Sequence, residues 1–133
     1  MSHYVVYHNP DTMGYSAEQI TGFSAVTDKP APPDLQCNTL WLLTGESTPR
    51  RYYIVQRFTV DRIESGEDQG FRTRVVADTG QHFRPMVRID DEEWFSDFLR
   101  SHANFSLGLQ RVSEDRFIRG LEEAASRGAN PWV

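Results

Sequence analysis

Side chains with chemistry to offer are few and scattered. The four histidines, His3, His8, His82 and His102, share no metal-ligand spacing, and the single cysteine, Cys37, has no second thiol to complete a Cys pair. The sequence contains no serine nucleophile set in a glycine elbow and no glycine-rich phosphate loop. Asp90-Asp91-Glu92-Glu93 gathers four carboxylates, but it stands directly before the apolar stripe Trp94, Phe95, Phe98 and Leu99. There it reads as the acidic first turn of a helix, favoured by the positive end of the helix dipole. Lys29, the sole lysine, lies in Lys29-Pro30-Ala31-Pro32-Pro33, where a desolvated amine of lowered pKa is hard to arrange. Nothing in this set signals catalysis, a metal or a cofactor, and ligand binding is the expectation instead.

The arginines are the second chemical feature. Thirteen of the 14 basic residues are Arg, the side chain whose planar fork suits phosphates and base edges. They are unevenly placed: residues 1–49 carry a charge of −4, residues 50–88 carry +3 and residues 89–133 carry −4, which together give the formal net charge of −5. An acidic chain does not bind nucleic acid by bulk electrostatics, so any such contact must be local to the basic middle.

The elements that must position these groups follow from pattern. A chain of 133 residues, 38% hydrophobic and 25% charged, is sized and composed as one folded domain spanning 1–133. The lone cysteine points to a reducing compartment, the N-terminus lacks a signal-peptide pattern, and no apolar run approaches the roughly 20 residues that cross a membrane. A cytoplasmic protein is expected. His3 to Tyr7 reads as a strand ending at His8-Asn9-Pro10, and residues 9–38 as loop with one helical turn near Ser16 to Ile20. Leu40 to Leu43 and Tyr52 to Ile63 read as strands, the latter with Tyr52, Ile54, Phe58 and Val60 on one face. Strands over Phe71 to Ala77 and His82 to Ile89 follow, Pro85 marking an edge or a bulge. Helices start near Trp94 and after Ser113 as N-cap, the last ending at Gly128. Five or six strands with late helices make an α+β domain, and their two-sided alternation favours a strongly curved, barrel-like sheet.

Three pieces in order carry a family resemblance. His8-Asn9-Pro10-Asp11 followed by Tyr15-Ser16 is similar to the polar-proline-acidic turn that ends the first strand of EVE domains, with Tyr7 where those domains usually have lysine. Leu40-Trp41-Leu42-Leu43-Thr44-Gly45 and Tyr52-Tyr53-Ile54-Val55 are similar to their second strand and its return. Phe83-Arg84-Pro85-Met86-Val87, Trp94 to Leu99 and Phe105 to Ser113 resemble their closing strand–helix–strand layout. EVE domains are PUA-like barrels related to the YTH readers of methylated adenine and, within the same superfamily, to ASCH domains.

The resemblance implies a PUA-like, five- to six-stranded barrel with flanking helices and a base pocket beside the end of the first strand. Carried over by position, His8, Asn9, Thr44 and Ser106 would be its polar groups, and Tyr15, Phe23, Trp41 and Phe105 its aromatic walls. Arg50, Arg51, Arg57, Arg72 and Arg74 would hold phosphates around it. Bland roles stand beside these: Trp41 and Trp94 suit a core, and Asn9-Pro10 suits turn geometry alone. The functional expectation is a module that recognises a modified, flipped or unpaired base in DNA or RNA, with any cleavage left to an effector partner. The alternatives are a small nucleotide or RNA hydrolase on an ASCH-like scaffold and a protein-interaction module docking through its acidic helices.

Overall fold

His3–His8 (β1) and Thr39–Glu46 (β3) carry apolar side chains on both faces, and only a strand covered on both faces can bury them. The two pair in parallel, His3 opposite Thr39 through His8 opposite Thr44, in the middle of a five-stranded sheet. In the computed structural model, which describes residues 1–65 and 70–128, the remaining strands are β2 (Phe23–Thr27), β4 (Arg51–Thr59), β5 (Arg62–Ser65), β6 (Thr73–Ala77), β7 (Gln81–Arg88) and β8 (Gln110–Val112). The helices are α1 (Pro10–Met13), α2 (Phe95–Ser101) and α3 (Asp115–Gly128). The larger sheet has the order β7-β4-β3-β1-β8 and the smaller β2-β6-β5, which makes the chain α+β.

The alternation of side chains along β1 and β3 divides the interior in two. Tyr4, Val6, Leu40 and Leu42 face the small sheet and pack on Phe23, Ala25, Val75 and Ala77. Val5, Trp41 and Leu43 face the helices and pack on Phe95, Phe98, Phe117 and Leu121. The result is three layers: small sheet, large sheet, helices. Each side chain of this kind taken from water contributes roughly 1.5–3 kcal/mol, so the central pair anchors both layers at once.

Several expectations are corrected. The strands number eight among the described residues, in two hydrogen-bonded sheets with no closed barrel, where five or six strands in one barrel-like sheet were expected. Two causes account for this. Residues 23–27 form a strand inside what reads as loop, alternating Phe23, Ala25 and Thr27 inward. The run from Tyr52 to Ile63 breaks after Thr59 into β4 and β5, which belong to different sheets. Nor do Tyr52, Ile54, Phe58 and Val60 share a face. The register slips at Val55, which opposes no residue on β3. A β-bulge of this kind reverses which side chains point inward. Ile54 therefore packs among the helices, while Val55, Phe58 and Val60 pack against the small sheet. Pro85 lies where predicted, on the edge strand β7, in the stretch between His82 and Val87 where pairing with β4 is interrupted.

The acidic run before α2 does not cap it. Asp90 instead accepts from the Tyr52 backbone N–H at 2.9 Å and pairs with Arg88 at 3.0 Å, and these contacts hold its carboxyl below the usual range. Glu92 reaches Arg127 of α3. Helix α3 begins at Asp115 rather than directly after Ser113, its first backbone bonds running from Phe117 and Ile118 to the Glu114 carbonyl. Its face toward α2 needs a glycine. A Cβ at Gly120 would come within 2.6 Å of the Trp94 indole nitrogen, so the two elements approach at van der Waals distance only because that atom is missing. Gly120→Ala is expected to cost about 1–3 kcal/mol despite alanine's better helix propensity, as a lower urea midpoint at unchanged slope.

Candidate ligand-binding site

The site begins with a mismatch of strand lengths. β1 has six residues, but β8, with three, pairs only with His3, Tyr4 and Val5. Val6, Tyr7 and His8 therefore have no strand on their outer edge among the described residues. The direction of their backbone groups follows from register. The Ser2 carbonyl accepts from the Thr39 N–H at 3.1 Å, so even-numbered residues of β1 turn their backbone toward β3 and odd-numbered ones turn outward. His3 and Val5 spend their outward groups on β8, and the N–H and C=O of Tyr7 turn to the edge that β8 leaves uncovered.

Beside that edge lies a cavity of about 520 Å³ whose lining includes Val6, Tyr7, Asn9, Asp28, Lys29, Arg50 and Phe105. Phe71, Asn104 and Ser106 complete its mouth. A second cavity of about 420 Å³ adjoins it and holds His8, Tyr15, Ser24 and Arg74. Tyr7, Met13 and Val26 line both, forming a sill between them.

Each wall has a local cause. Asn9 accepts from the Asp11 N–H through Oδ1 at 3.0 Å, with Pro10 at the first helical position, so α1 starts as an asparagine-capped turn beside the strand end. Tyr7 stacks on Phe105 at 6.0 Å between ring centres, and its hydroxyl accepts from Arg50 at 3.0 Å. Burial pushes this phenol above its ordinary pKa, and Arg50 acts in the opposite direction. The hydroxyl and the Arg50 stem lie where a Cβ of Gly45 would otherwise be. Lys29 is placed by Thr27, whose hydroxyl accepts from the Lys29 N–H at 3.2 Å, and by Thr73, which donates to the Lys29 carbonyl at 2.9 Å. On the far side, Ala103, Asn104 and Phe105 have φ of 51°, 55° and 61°, a left-handed turn of three non-glycine residues. Such a conformation costs roughly 1–2 kcal/mol per residue for L-amino acids. It is held by the Phe105 N–H on the His102 carbonyl at 2.8 Å, by the Ser106 hydroxyl on the Ala103 carbonyl at 2.7 Å, and by the Phe105 ring against Phe98. Consecutive outliers of this kind cluster at ligand sites, where surrounding packing can maintain them.

The structure brings together some of the residues expected from sequence and separates others. Asn9, Phe105, Ser106 and Arg50 line the first cavity, and His8, Tyr15 and Arg74 the second. His8 is buried, with Nε2 3.0 Å from the Tyr15 carbonyl and its ring 5.1 Å from that of Tyr15. Trp41 lines neither cavity. Its indole is fully buried on the helix side, donating to His3 Nδ1 at 3.0 Å with Arg57 over its ring. Burial keeps His3 below its ordinary pKa, as an accepting Nδ1 requires. Phe23 is likewise core, stacked on His82. Thr44 is fully buried, and its hydroxyl donates to the His8 carbonyl at 2.8 Å. It braces the strand end. Arg57 bonds Gln81 at 2.5 Å away from both cavities, and Arg51 and Arg72 are exposed outside the two linings. Arg50 and Arg74 are the two of the five arginines beside the cavities, each with an acid nearby: Asp11 at 3.5 Å and Glu64 at 3.9 Å.

Sequence reasoning missed Tyr7, Lys29, Phe71 and Asn104. The signal for Tyr7 lies in strand length, since a three-residue strand cannot cover a six-residue one. Phe71 and Asn104 leave no such trace. Among the described residues, no group of three or more His, Cys, Asp or Glu could hold a metal, and no helix is long and apolar enough to cross a membrane. Thr44→Val should lower stability by about 1 kcal/mol in chemical denaturation, because a buried hydroxyl bond is lost at nearly constant volume. No protein-family model, curated protein or solved structure matches the chain, so a functional reading must come from this cavity's own chemistry.

Proposed function

We propose that the chain is a nucleic-acid-binding module that takes a modified, flipped or unpaired base into the cavity beside the outer half of β1. The observation that carries this reading is the edge of β1 at Tyr7, left uncovered by β8, beside a cavity whose lining includes aromatic rings, the two cations Arg50 and Lys29, and one carboxylate, Asp28. A nucleobase edge presents adjacent donors and acceptors, and the exposed backbone of one strand residue offers the complementary pair. Phe71, half-buried in the lining, supplies apolar surface for a base face, a contact worth roughly 1–3 kcal/mol per base in single-strand binders, while the buried Phe105 forms the floor behind it. Arg50 and Lys29 supply charge for the adjoining phosphates, while the acidic remainder of the molecule discourages binding elsewhere. A volume of about 520 Å³ is in the range of sites that enclose a small flat ligand.

The scaffold is proposed to be PUA-like and related to EVE domains, on the order of the three sequence pieces described above. Its role is recognition without catalysis, with nucleic acid as the partner and any effector supplied by another protein.

Fluorescence anisotropy with single- and double-stranded DNA and RNA oligonucleotides, unmodified and methylated, at two salt concentrations tests the reading. Preference for one base or modification is expected. Arg50→Ala should weaken binding to every sequence and flatten the slope of log K against log salt by about 1, as loss of a single phosphate contact does. Absence of binding to all members at low salt contradicts the proposal.

A further inference from the structure

We infer that the site takes two consecutive nucleotides of a strand rather than one isolated nucleotide, with the second base in the 420 Å³ cavity. The inference rests on the base-binding reading above and extends it to the length of the ligand.

The two cavities are neighbours in a specific way. They share Tyr7, Met13 and Val26 in their linings, so the two lie side by side across one row of residues. Each offers an aromatic surface of its own: the half-buried Phe71 in the first, Tyr15 in the second. Tyr15 is 39% exposed although it is a large ring, and its contact with His8 fixes one side of it. An anchored aromatic side chain left open to solvent inside a cavity is a stacking surface without an occupant from its own chain. The cations are spaced to match. Arg50 and Lys29 belong to the first cavity, and Arg74 lines the second. In the β2–β6 register Arg74 sits directly opposite Val26, one of the three sill residues, where the phosphate joining two nucleotides would pass. Its ion pair with Glu64 is long, at 3.9 Å, with both side chains more than a third exposed, so a phosphate can displace it at little cost. Each volume alone accommodates a base with its sugar, and a ligand filling one would leave the other cavity and its aromatic ring in water.

The test compares nucleoside 3′,5′-bisphosphates with 5′-phosphorylated dinucleotides by isothermal titration calorimetry, for adenine and cytosine, ribo and deoxy, unmodified and base-methylated. Both ligands carry two phosphates, so they differ chiefly in the second nucleoside, which esterifies the 3′-phosphate. The dinucleotide should bind at least tenfold more tightly than the bisphosphate with the same first base. Tyr15→Ala and, separately, Arg74→Gln should each remove most of that advantage, with far-ultraviolet circular dichroism and melting confirming that the variants fold. Equal affinity for bisphosphate and dinucleotide overturns the two-nucleotide site and leaves the base-binding reading intact. A dinucleotide advantage that survives both substitutions overturns the assignment of the second cavity. Binding of neither ligand class overturns the inference together with the reading beneath it.

Discussion

The parallel pairing of β1 with β3 is the constraint on which the molecule depends. Both strands are buried on both faces, so a layer must cover each side: the three-stranded sheet on one and the helices on the other. Parallel neighbours cannot be joined by a tight turn, and the chain must cross from the end of β1 to the start of β3. It uses residues 9–38 for this, and α1, β2 and the proline-rich stretch all belong to that crossing. Each of them supplies part of the candidate site: Asn9 and Met13, then Ser24 and Val26, then Lys29. A connection required by topology thus also assembles the walls of the cavity.

The same strand explains why the cavity has polar depth. Protein interiors rarely leave backbone donors and acceptors without partners, and a sheet edge that ends early leaves them at a defined place. Here β8 stops pairing at Val5, and the chain leading into it is held away from β1 by the left-handed turn at Ala103–Phe105. Packing of Phe105 against Tyr7 and Phe98 offsets the strain of that turn. Edge, turn and ring act together: the Phe105 ring and the hydrogen bonds to the His102 and Ala103 carbonyls maintain a turn that stands beside the uncovered edge of β1.

Much of this layout was legible in the sequence where the side-chain pattern was clean. β1 and β3 are legible as short apolar runs bounded by polar and turn residues, β6 by the inward alternation of Thr73, Val75 and Ala77, and α3 because Phe117, Leu121 and Ala125 share one face. Alternation failed where backbone geometry intervened. The bulge at Val55 reverses the parity of β4, and no residue type announces it. β2 was hidden because Ser24 and Ala25 carry little strand preference, and pairing with β6 decides its state instead. For the site, position along the chain located Asn9, Arg50, Phe105 and Ser106, which line one cavity. It could not tell that Trp41, Phe23 and Thr44 point into the cores, because an aromatic or hydroxyl residue in a strand reads alike from either face. The uncovered edge at Tyr7 shows only when the lengths of β1 and β8 are compared, since it is a property of the neighbouring strand.

The most direct test of the account is a titration followed by ¹⁵N–¹H correlation spectra, with a short single-stranded oligonucleotide carrying a methylated base. If the open half of β1 is the base site, the largest amide shifts will fall on Tyr7, Lys29, Asn104, Phe105 and Ser106, while α3 stays unmoved. Shifts gathered on α2 and α3, or a spectrum unchanged at ligand excess, would contradict it.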